Sequence, residues 1–199
     1  MVYLPKNFVK IQTENLLFVD ITPSDWDLTQ SFFDLNQSVL KYSAWQDVYK
    51  SETMAFFFDN LMRSQFDIPR HTFVLKIADK TDLKKIIGLC SLCLLDNKEK
   101  MFNPPEQTGI IRFFLSKEAQ GFFYSLEVLS ALLRLGFEYL NLHKINTYVD
   151  YRNKPLMMIL ARANMRKEGI CRDYLYYDHR WVDQYLYSML KKEWLESKK

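Results

Sequence analysis

The residues with the clearest chemical potential are the Gln120-Gly121 pair, which opens a long apolar helix pattern. Just upstream, residues 110–115 read IIRFFL, a short β-rich run bounded by Gly109 and Ser116. A strand, a tight turn and a helix in this order leave unpaired backbone N–H groups at the helix N-terminus. These donors and the positive end of the helix dipole attract anions. The alternative is an ordinary connection from a strand to a core-facing helix. Taken alone, this segment favours the ordinary connection over an anion-binding site.

The elements that must position this turn are predicted from periodicity and turn residues. Helical spacing over residues 119–140 predicts one long helix with an apolar face. Two further helices are predicted, one after Pro23 to about Leu35 and one from Ser51 to about Ser64. Asn103, followed by two prolines, places a loop over residues 96–106. Strands are predicted at residues 15–22, 71–78, 85–95, 110–115 and 143–150, with a final hairpin over 165–188 that turns at 177–180.

Length and composition indicate one folded domain, residues 1–199, with room for a full core. A hydrophobic content of 48% and an aromatic content of 16% exclude a disordered chain. The net charge of +3 gives no reason to expect nucleic acid or a membrane surface as a partner. No apolar run approaches a membrane span, and the first ten residues lack a signal-peptide core. We therefore expect a soluble, cytoplasmic protein.

The cysteines and histidines do not suggest a metal centre or a nucleophile. Cys90 and Cys93 form a C-x-x-C on a predicted strand, where an offset of three residues points the thiols to opposite faces. An odd total of three cysteines also argues against a disulfide framework. His71, His143 and His179 are isolated. We expect no metal and inert, buried cysteines.

Three segments in order resemble one family of enzymes. QGFFYSLEVL resembles the segment that carries the Q/R-x-x-G-x-G/A coenzyme A signature of GNAT acyltransferases. The fifth strand and fourth helix of that superfamily are similar to the segment HKINTYVDYRNKPLMMILARANMRKEG. The ending of its RimJ/RimL-type branch is similar to the segment RDYLYYDHRWVDQYLYSMLKKEW. The resemblance is strong from about Gly109 to the end and weak before it.

The resemblance implies an α+β GNAT fold, a mixed and mostly antiparallel sheet of about seven strands with helices on both faces. The fourth and fifth predicted strands, residues 110–115 and 143–150, should splay apart to admit the pantetheine arm of acetyl-CoA. Backbone groups of the fourth strand should pair with the pantetheine, and the turn and first helical residues should hold the pyrophosphate. The implied cofactor-binding residues are Phe113, Phe114, Leu115, Gln120, Gly121, Phe122, Phe123, Tyr124, Ser125 and Asn153.

The chain departs from the family pattern at the turn and in the fourth helix. Phe122 stands at the usual basic or polar position, and Phe123 replaces the second glycine of the signature. Phenylalanine fits there only if its backbone angles are ordinary and its ring points away. Leu156 stands where the RimJ/RimL-type branch has serine, and Leu160 where other GNAT branches have a general-acid tyrosine, so neither can protonate a leaving thiolate. Asn164 replaces a helix-ending glycine, a mild change because asparagine tolerates the left-handed conformation.

The candidate catalytic residues follow from this resemblance. Asn153 could hold the acceptor amine or simply cap a helix, with equal weight. A general base could be Glu106 or Asp150 acting through water, although a surface or turn carboxylate is the more common role. Tyr174, together with Tyr176 and Tyr187 on the last two predicted strands, could face the thioester, whereas most such tyrosines are structural.

The resemblance implies an acyl-CoA-dependent N-acyltransferase, most simply an N-acetyltransferase, that works by direct attack of the acceptor amine. The acceptor would be a protein N-terminus, an amino sugar or a small amine, and the enzyme a monomer or homodimer. The competing hypothesis is a degenerate GNAT domain that serves as a binding or regulatory module. The residues Phe123, Leu156 and Leu160 support that alternative.

Overall fold

The computed structural model describes residues 9–43, 63, 70–95 and 108–198. The predicted loop over residues 96–106, with Glu106, and the predicted helix over 51–64, apart from residue 63, lie outside them. The strands are β1 Lys10–Gln12, β2 Leu16–Asp20, β3 Thr72–Asp79, β4 Asp82–Leu94, β5 Thr108–Leu115, β6 Lys144–Asp150, β7 Arg166–Tyr177 and β8 Arg180–Leu190. The helices are α1 Trp26–Leu35, α2 Phe122–Arg134, α3 Lys154–Arg162 and α4 Lys191–Glu196.

The strands of the described ranges form one sheet of eight in the order β1-β2-β3-β4-β5-β6-β8-β7. Only β5 and β6 run parallel among the neighbouring pairs described, which confirms a mixed, mostly antiparallel sheet. The strand beyond the predicted seven is β1. Its three residues bury only Ile11, too short a pattern for alternation to reveal.

Helices cover both faces of the sheet, as the resemblance implied. Because side chains alternate along a strand, each strand contributes to two cores. On one face, called here the α2 face, Ile111 and Leu115 of β5 pack with Leu129 of α2, together with α3 and α4. On the other, the α1 face, Phe33 of α1 packs edge-on against Phe114, with 6.4 Å between ring centroids.

The long predicted helix changes geometry before its end. α2 stops at Arg134, and Leu135–Tyr139 continues as a π turn closed by a hydrogen bond from Leu140 N to Leu135 O at 3.0 Å. Helical periodicity does not distinguish these two forms, because both keep the same residues on the core side. The apolar face of the helix is confirmed, with Leu129, Leu133 and Phe137 buried.

The predicted hairpin is also confirmed. β7 and β8 join through Asp178 and His179, whose φ angles of 54° and 57° are those of a two-residue turn matched to the twist of the strands. A register shift lies between Cys171 and Leu175, where Asp173 also has a positive φ of 48°. This irregularity re-aims the neighbouring Tyr174.

β5 and β6 separate after a short paired segment. Their register contains Thr108 with Lys144, Gly109 with Ile145, and Ile110 with Asn146, and no later pair. Residues 111–115 and 147–150 therefore line an opening between two strands of one sheet. The splay that the resemblance implied is present, between the fourth and fifth predicted strands.

Candidate active site

The turn before α2 presents free backbone amides. Ala119 and Gln120 both donate to Ser116 O, at 3.0 and 2.8 Å, and the first intrahelical bond is from Ser125 N to Gly121 O at 3.2 Å. Within the described residues the amides of 121–124 lie between these bonds without a backbone partner, and Gly121 provides no side-chain cap. Four N–H groups at a helix N-terminus form a site for an anion.

The two phenylalanines of this turn do not fill it. Phe122 is 49% exposed and Phe123 is 64% exposed, so both rings project into solvent. Phe123 lies in helical conformation and contacts Tyr124 edge-on, with ring centroids 5.9 Å apart. A Cβ placed on Gly121 would meet nothing within 4 Å, which shows open space over the turn. Both conditions for a phenylalanine at this position are met.

The opening between β5 and β6 continues from this turn. Phe113 and Phe114 are half-buried on opposite faces of β5, and Leu115 is buried at the end of the strand. Beyond Ile110, β5 forms no ladder pair with the described residues of β6. Unpaired backbone groups at such an edge can bind an extended ligand in the way that an added strand binds.

A buried ionic cluster anchors the end of β6. Asp150, which is 1% exposed, accepts hydrogen bonds from Arg152 Nε at 2.9 Å and from the Arg152 backbone N at 2.7 Å. The fully buried Tyr177 donates its hydroxyl proton to Asp150 Oδ2. Burial favours the protonated acid, but these hydrogen bonds outweigh it and hold the pKa of Asp150 below its usual value. Burial, followed by the hydrogen bond to Asp150, raises the pKa of Tyr177.

This cluster corrects the interpretation of Asp150. The carboxylate is neither an exposed turn residue nor a free base, since its oxygens are occupied by Arg152 and Tyr177. It instead fixes the chain where β6 ends and α3 begins. The sequence could not reveal this, because Tyr177 lies 27 residues away. Arg152 is likewise held by its hydrogen bonds to Asp150 and Tyr177.

Asn153 caps α3. Its Oδ1 accepts from Leu156 N at 3.2 Å, and its own backbone N donates to Asp150 O at 2.9 Å. The capping role that the sequence allowed is therefore present. Leu160 is buried in the core and Leu156 is half-buried against it, so α3 supplies no proton donor at either position. Asn164 follows α3 with a φ of 60°, the left-handed conformation that the sequence predicted.

Of the three candidate tyrosines, Tyr174 lies nearest the opening. Its ring stacks on Tyr148 of β6, with centroids 4.4 Å apart and planes 11° apart. Tyr176 instead contacts Trp181 at the exposed end of the hairpin, and Tyr187 is buried in the core. Tyr148 lies beyond the last β5–β6 pair and is a wall residue that sequence reasoning missed. Strand alternation could have indicated Tyr148, because it lies two residues from Asp150 and therefore on the same face of β6.

Tyr148 remains a neutral phenol at physiological pH. Burial, followed by its contact with the Tyr174 hydroxyl, raises the pKa of Tyr148 to about 12. A phenol in this state can donate a hydrogen bond but does not act as a base. The aromatic pair therefore offers hydrogen-bond donors and a flat apolar surface beside the opening.

Other kinds of site find little support in the described ranges. Cys90, Cys93 and Cys171 are free thiols. Burial raises the pKa of Cys90 far above the usual value, which leaves it unreactive. Within residues 9–43, 70–95 and 108–198, no three His, Cys, Asp or Glu side chains are grouped to hold a metal ion. No helix in the part of the chain that the structure describes is both long and apolar enough to cross a membrane.

Known proteins share this architecture. The uncharacterized N-acetyltransferase p20 of Bacillus licheniformis is 30% identical over 118 residues, which cover 59% of this chain and 61% of that protein. The aligned region thus spans less than two thirds of that relative. RimJ of Mycobacterium smegmatis, solved with CoA-disulfide, superposes with a TM-score of 0.74 at 16% identity, covering 94% of this chain and 88% of that one.

A second solved structure has the same fold. Spermidine N-acetyltransferase from Vibrio cholerae, in complex with CoA and spermine, gives a TM-score of 0.73 at 17% identity, covering 92% of this chain and 99% of that one. The sequence model of the acetyltransferase (GNAT) domain family matches residues 15–166. The resemblance drawn from the sequence is thereby confirmed, and the chain belongs to the acetyltransferase (GNAT) domain family.

Proposed function

We propose that this protein transfers an acetyl group from acetyl-CoA to the nitrogen of an amine. The observation that carries the proposal is that, within the described residues, four amides without a backbone partner at the start of α2 follow β5, the strand that parts from β6. An anion-binding turn next to an unpaired strand edge suits a ligand with a charged diphosphate and an extended amide arm.

The binding residues follow from this arrangement. The amides of Gly121, Phe122, Phe123 and Tyr124 would hold the diphosphate, with Gln120 and Ser125 on either side of them. Backbone groups of Phe113, Phe114 and Leu115 would pair with the pantetheine, as a strand does. Each charge-assisted hydrogen bond from an amide to the diphosphate contributes about 1.5–3 kcal/mol, or roughly ten- to a hundredfold in affinity.

The reaction needs little from the side chains. The amine nitrogen attacks the thioester carbon, the C–S bond breaks, and the departing thiolate takes up a proton while the new amide loses one. A backbone N–H of β5 can stabilise the oxyanion without any particular side chain. Tyr174, which stacks on Tyr148, would act as proton donor, Asn153 would hold the amine, and Glu106 would deprotonate it.

The degenerate-module hypothesis is the weaker of the two. It depended on Phe123 obstructing the turn, yet the ring is exposed and the space over Gly121 is open. The absence of an acid at Leu156 and Leu160 affects only proton delivery, which water or a tyrosine can supply. Relatives of the chain carry the name N-acetyltransferase, which also supports the enzyme.

Calorimetry with acetyl-CoA tests the proposal, and we expect a dissociation constant in the micromolar range. S-acetylpantetheine, which lacks the diphosphate, is the matched ligand and should bind at least tenfold more weakly. Thiol release in the presence of an alanine peptide, glucosamine or spermidine would then report turnover. An absence of heat up to millimolar acetyl-CoA would refute the enzyme and leave the degenerate module.

The remaining expectations accompany this proposal. We propose that residues 1–199 act as one domain, since the described strands share one sheet. Free cysteines support the cytoplasmic location expected from the composition. The acceptor would be a protein N-terminus, an amino sugar or a small amine, and the protein would act as a monomer or homodimer.

A further inference from the structure

The α1 face of the opening has a distinctive arrangement of side chains. Ile111 and Leu115 of β5 point to the α2 face, so Arg112 between them points to the α1 face, as Phe114 does. On β6, Ile145 and Val149 pack on the α2 face, so Asn146 and Tyr148 point to the α1 face. The α1 side of the opening therefore has Arg112 on one strand and Asn146 and Tyr148 on the other.

Register places these residues opposite each other. The last β5–β6 pair is Ile110 with Asn146, so Asn146 lies where the strands part. Arg112 and Tyr148 are each two residues further along parallel strands, and they face each other across the gap. Two residues along a strand correspond to about 7 Å. One small molecule can therefore span the distance from Asn146 to Arg112.

Among the described residues, no carboxylate pairs with the positive charge of Arg112. Its side chain is exposed, and the described residues offer it no hydrogen bond, ion pair or ring contact. Its cross-strand neighbour on β4 is Ser91, which carries no charge. A guanidinium whose donors are not used by the described residues can offer them to a carboxylate.

Asn146 provides an unused hydrogen-bond acceptor. The residue is 8% exposed, and its Oδ1 is shielded from water without a hydrogen-bond partner among the residues described. A buried polar atom without a partner costs free energy, so an incoming N–H group would be stabilised there. The attacking amine is a donor of this kind.

Two described carboxylates on this face, Asp25 and Asp150, are already paired, which disfavours a polycation. Asp25 contacts Lys76 Nζ at 2.6 Å, and Asp150 is held by Arg152 and Tyr177. Neither is free to hold a second ammonium group of a polyamine. Arg112 would repel such a group at the entrance.

We propose that the acceptor is a small amine that also carries a carboxylate, as an amino acid does. The guanidinium of Arg112 binds the carboxylate, Asn146 Oδ1 accepts from the amine, and the stacked rings of Tyr148 and Tyr174 form the side wall. This inference rests on the proposed acetyl transfer and narrows its acceptor class.

Steady-state thiol release with matched acceptors tests this. The probes are single amino acids, each compared with its own carboxamide, and spermidine. We expect kcat/KM for the free acids to exceed that for the carboxamides by at least tenfold. Arg112→Gln should raise KM for the acids ten- to a hundredfold with kcat nearly unchanged, and it should leave KM for the carboxamides unaltered. Arg112→Lys should restore part of the loss.

Control variants separate binding from folding. Arg162→Gln removes an exposed arginine at the far end of α3 and should leave every constant unchanged. Asn146→Asp keeps an acceptor oxygen and should retain more activity than Asn146→Ala, with thermal unfolding followed for both. Calorimetric binding of acetyl-CoA should be equal in all variants.

The outcomes distinguish this inference from the function on which it rests. Spermidine or carboxamides used as well as the free acids, or an Arg112→Gln variant with unchanged KM, would overturn the acceptor class alone. Acetyl-CoA binding together with no turnover of any carboxylate-bearing amine would do the same. Absence of acetyl-CoA binding would overturn acetyl transfer itself.

Discussion

At the scale of single residues, Asp150 is the side chain with the largest difference between its expected and observed roles. It was considered as a base acting through water, whereas in the fold its carboxylate joins Arg152 to Tyr177. A carboxylate that accepts so many hydrogen bonds is a poor base, because its pKa lies below the usual value. Its carboxylate instead ties the turn at Arg152 to Tyr177 of β7, while the backbone carbonyl of Asp150 accepts from Asn153 N.

The Asp150 cluster makes folding stability depend on acid. The pKa of Asp150 is lower in the folded chain than the ordinary 3.8, so its carboxylate stabilises the fold above that value. This contribution is lost as pH falls through the lower, folded pKa. We expect the free energy of unfolding, measured in urea, to fall more steeply below about pH 4 in wild type than in Asp150→Asn.

The same substitution should cost stability at neutral pH. Asp150→Asn leaves a partly buried Arg152 without its counter-charge, so we expect a loss of roughly 2–3 kcal/mol at pH 7. Asp178→Asn is the control, since Asp178 is exposed in the hairpin turn and its carboxylate is 3.9 Å from Arg180. Parallel pH curves for Asp150→Asn and wild type would contradict the assignment.

Phe123 provides a prediction about the binding turn. Because its ring is exposed and its backbone is helical, Phe123→Ala should change the affinity for acetyl-CoA by less than about threefold. Calorimetry measures this directly, with Phe122→Ala as the neighbouring control. A tenfold tighter complex would show instead that the ring obstructs the diphosphate.

At the scale of elements, two strand glycines differ sharply in what surrounds them. A Cβ on Gly88 of β4 would lie 2.5 Å from the Phe114 carbonyl oxygen of β5, a backbone atom that cannot rotate away. A Cβ on Gly169 of β7 would meet nothing within 4 Å. Close contact between β4 and β5 therefore depends on the missing side chain of Gly88.

We expect Gly88→Ala to lower the free energy of unfolding by roughly 1–3 kcal/mol and to raise KM for acetyl-CoA, because it displaces the strand that lines the opening. Gly169→Ala should remain within about 0.5 kcal/mol of wild type. Chemical denaturation and thiol-release kinetics on both variants check the pair. Equal stability of the two would mean that β5 shifts without cost.

At the scale of the whole molecule, alternation, turn residues and family motifs predicted the positions of seven strands along the chain, the hairpin and the splay. The missed features depend on distant partners or on short segments. Strand β1 has three residues, and the stacking of Tyr174 on Tyr148 depends on the backbone irregularity around Asp173. The burial of Asp150 required Tyr177, which no local pattern connects to it.

The candidate site was predictable to a similar degree. Free amides after Gln120 followed from a strand, a turn and a helix in sequence, and residues 121–124 have them. The exposure of the Phe123 ring could not be predicted from the sequence, because helical spacing alone does not show which side of the first turn of α2 faces solvent. Arg112 carried no signal in a single sequence, since its importance depends on where two strands part.

The parting of β5 and β6 has a mechanical consequence. In the part of the chain that the structure describes, β1 to β5 lie on one side and β6, β8 and β7 on the other, and three residue pairs of β5 and β6 join them. A ligand that pairs with the edge of β5 would extend this connection and hold the two parts of the sheet together. Ligand and protein would then share one network of backbone hydrogen bonds, so binding and release of the ligand would add and remove part of the sheet's own hydrogen bonding.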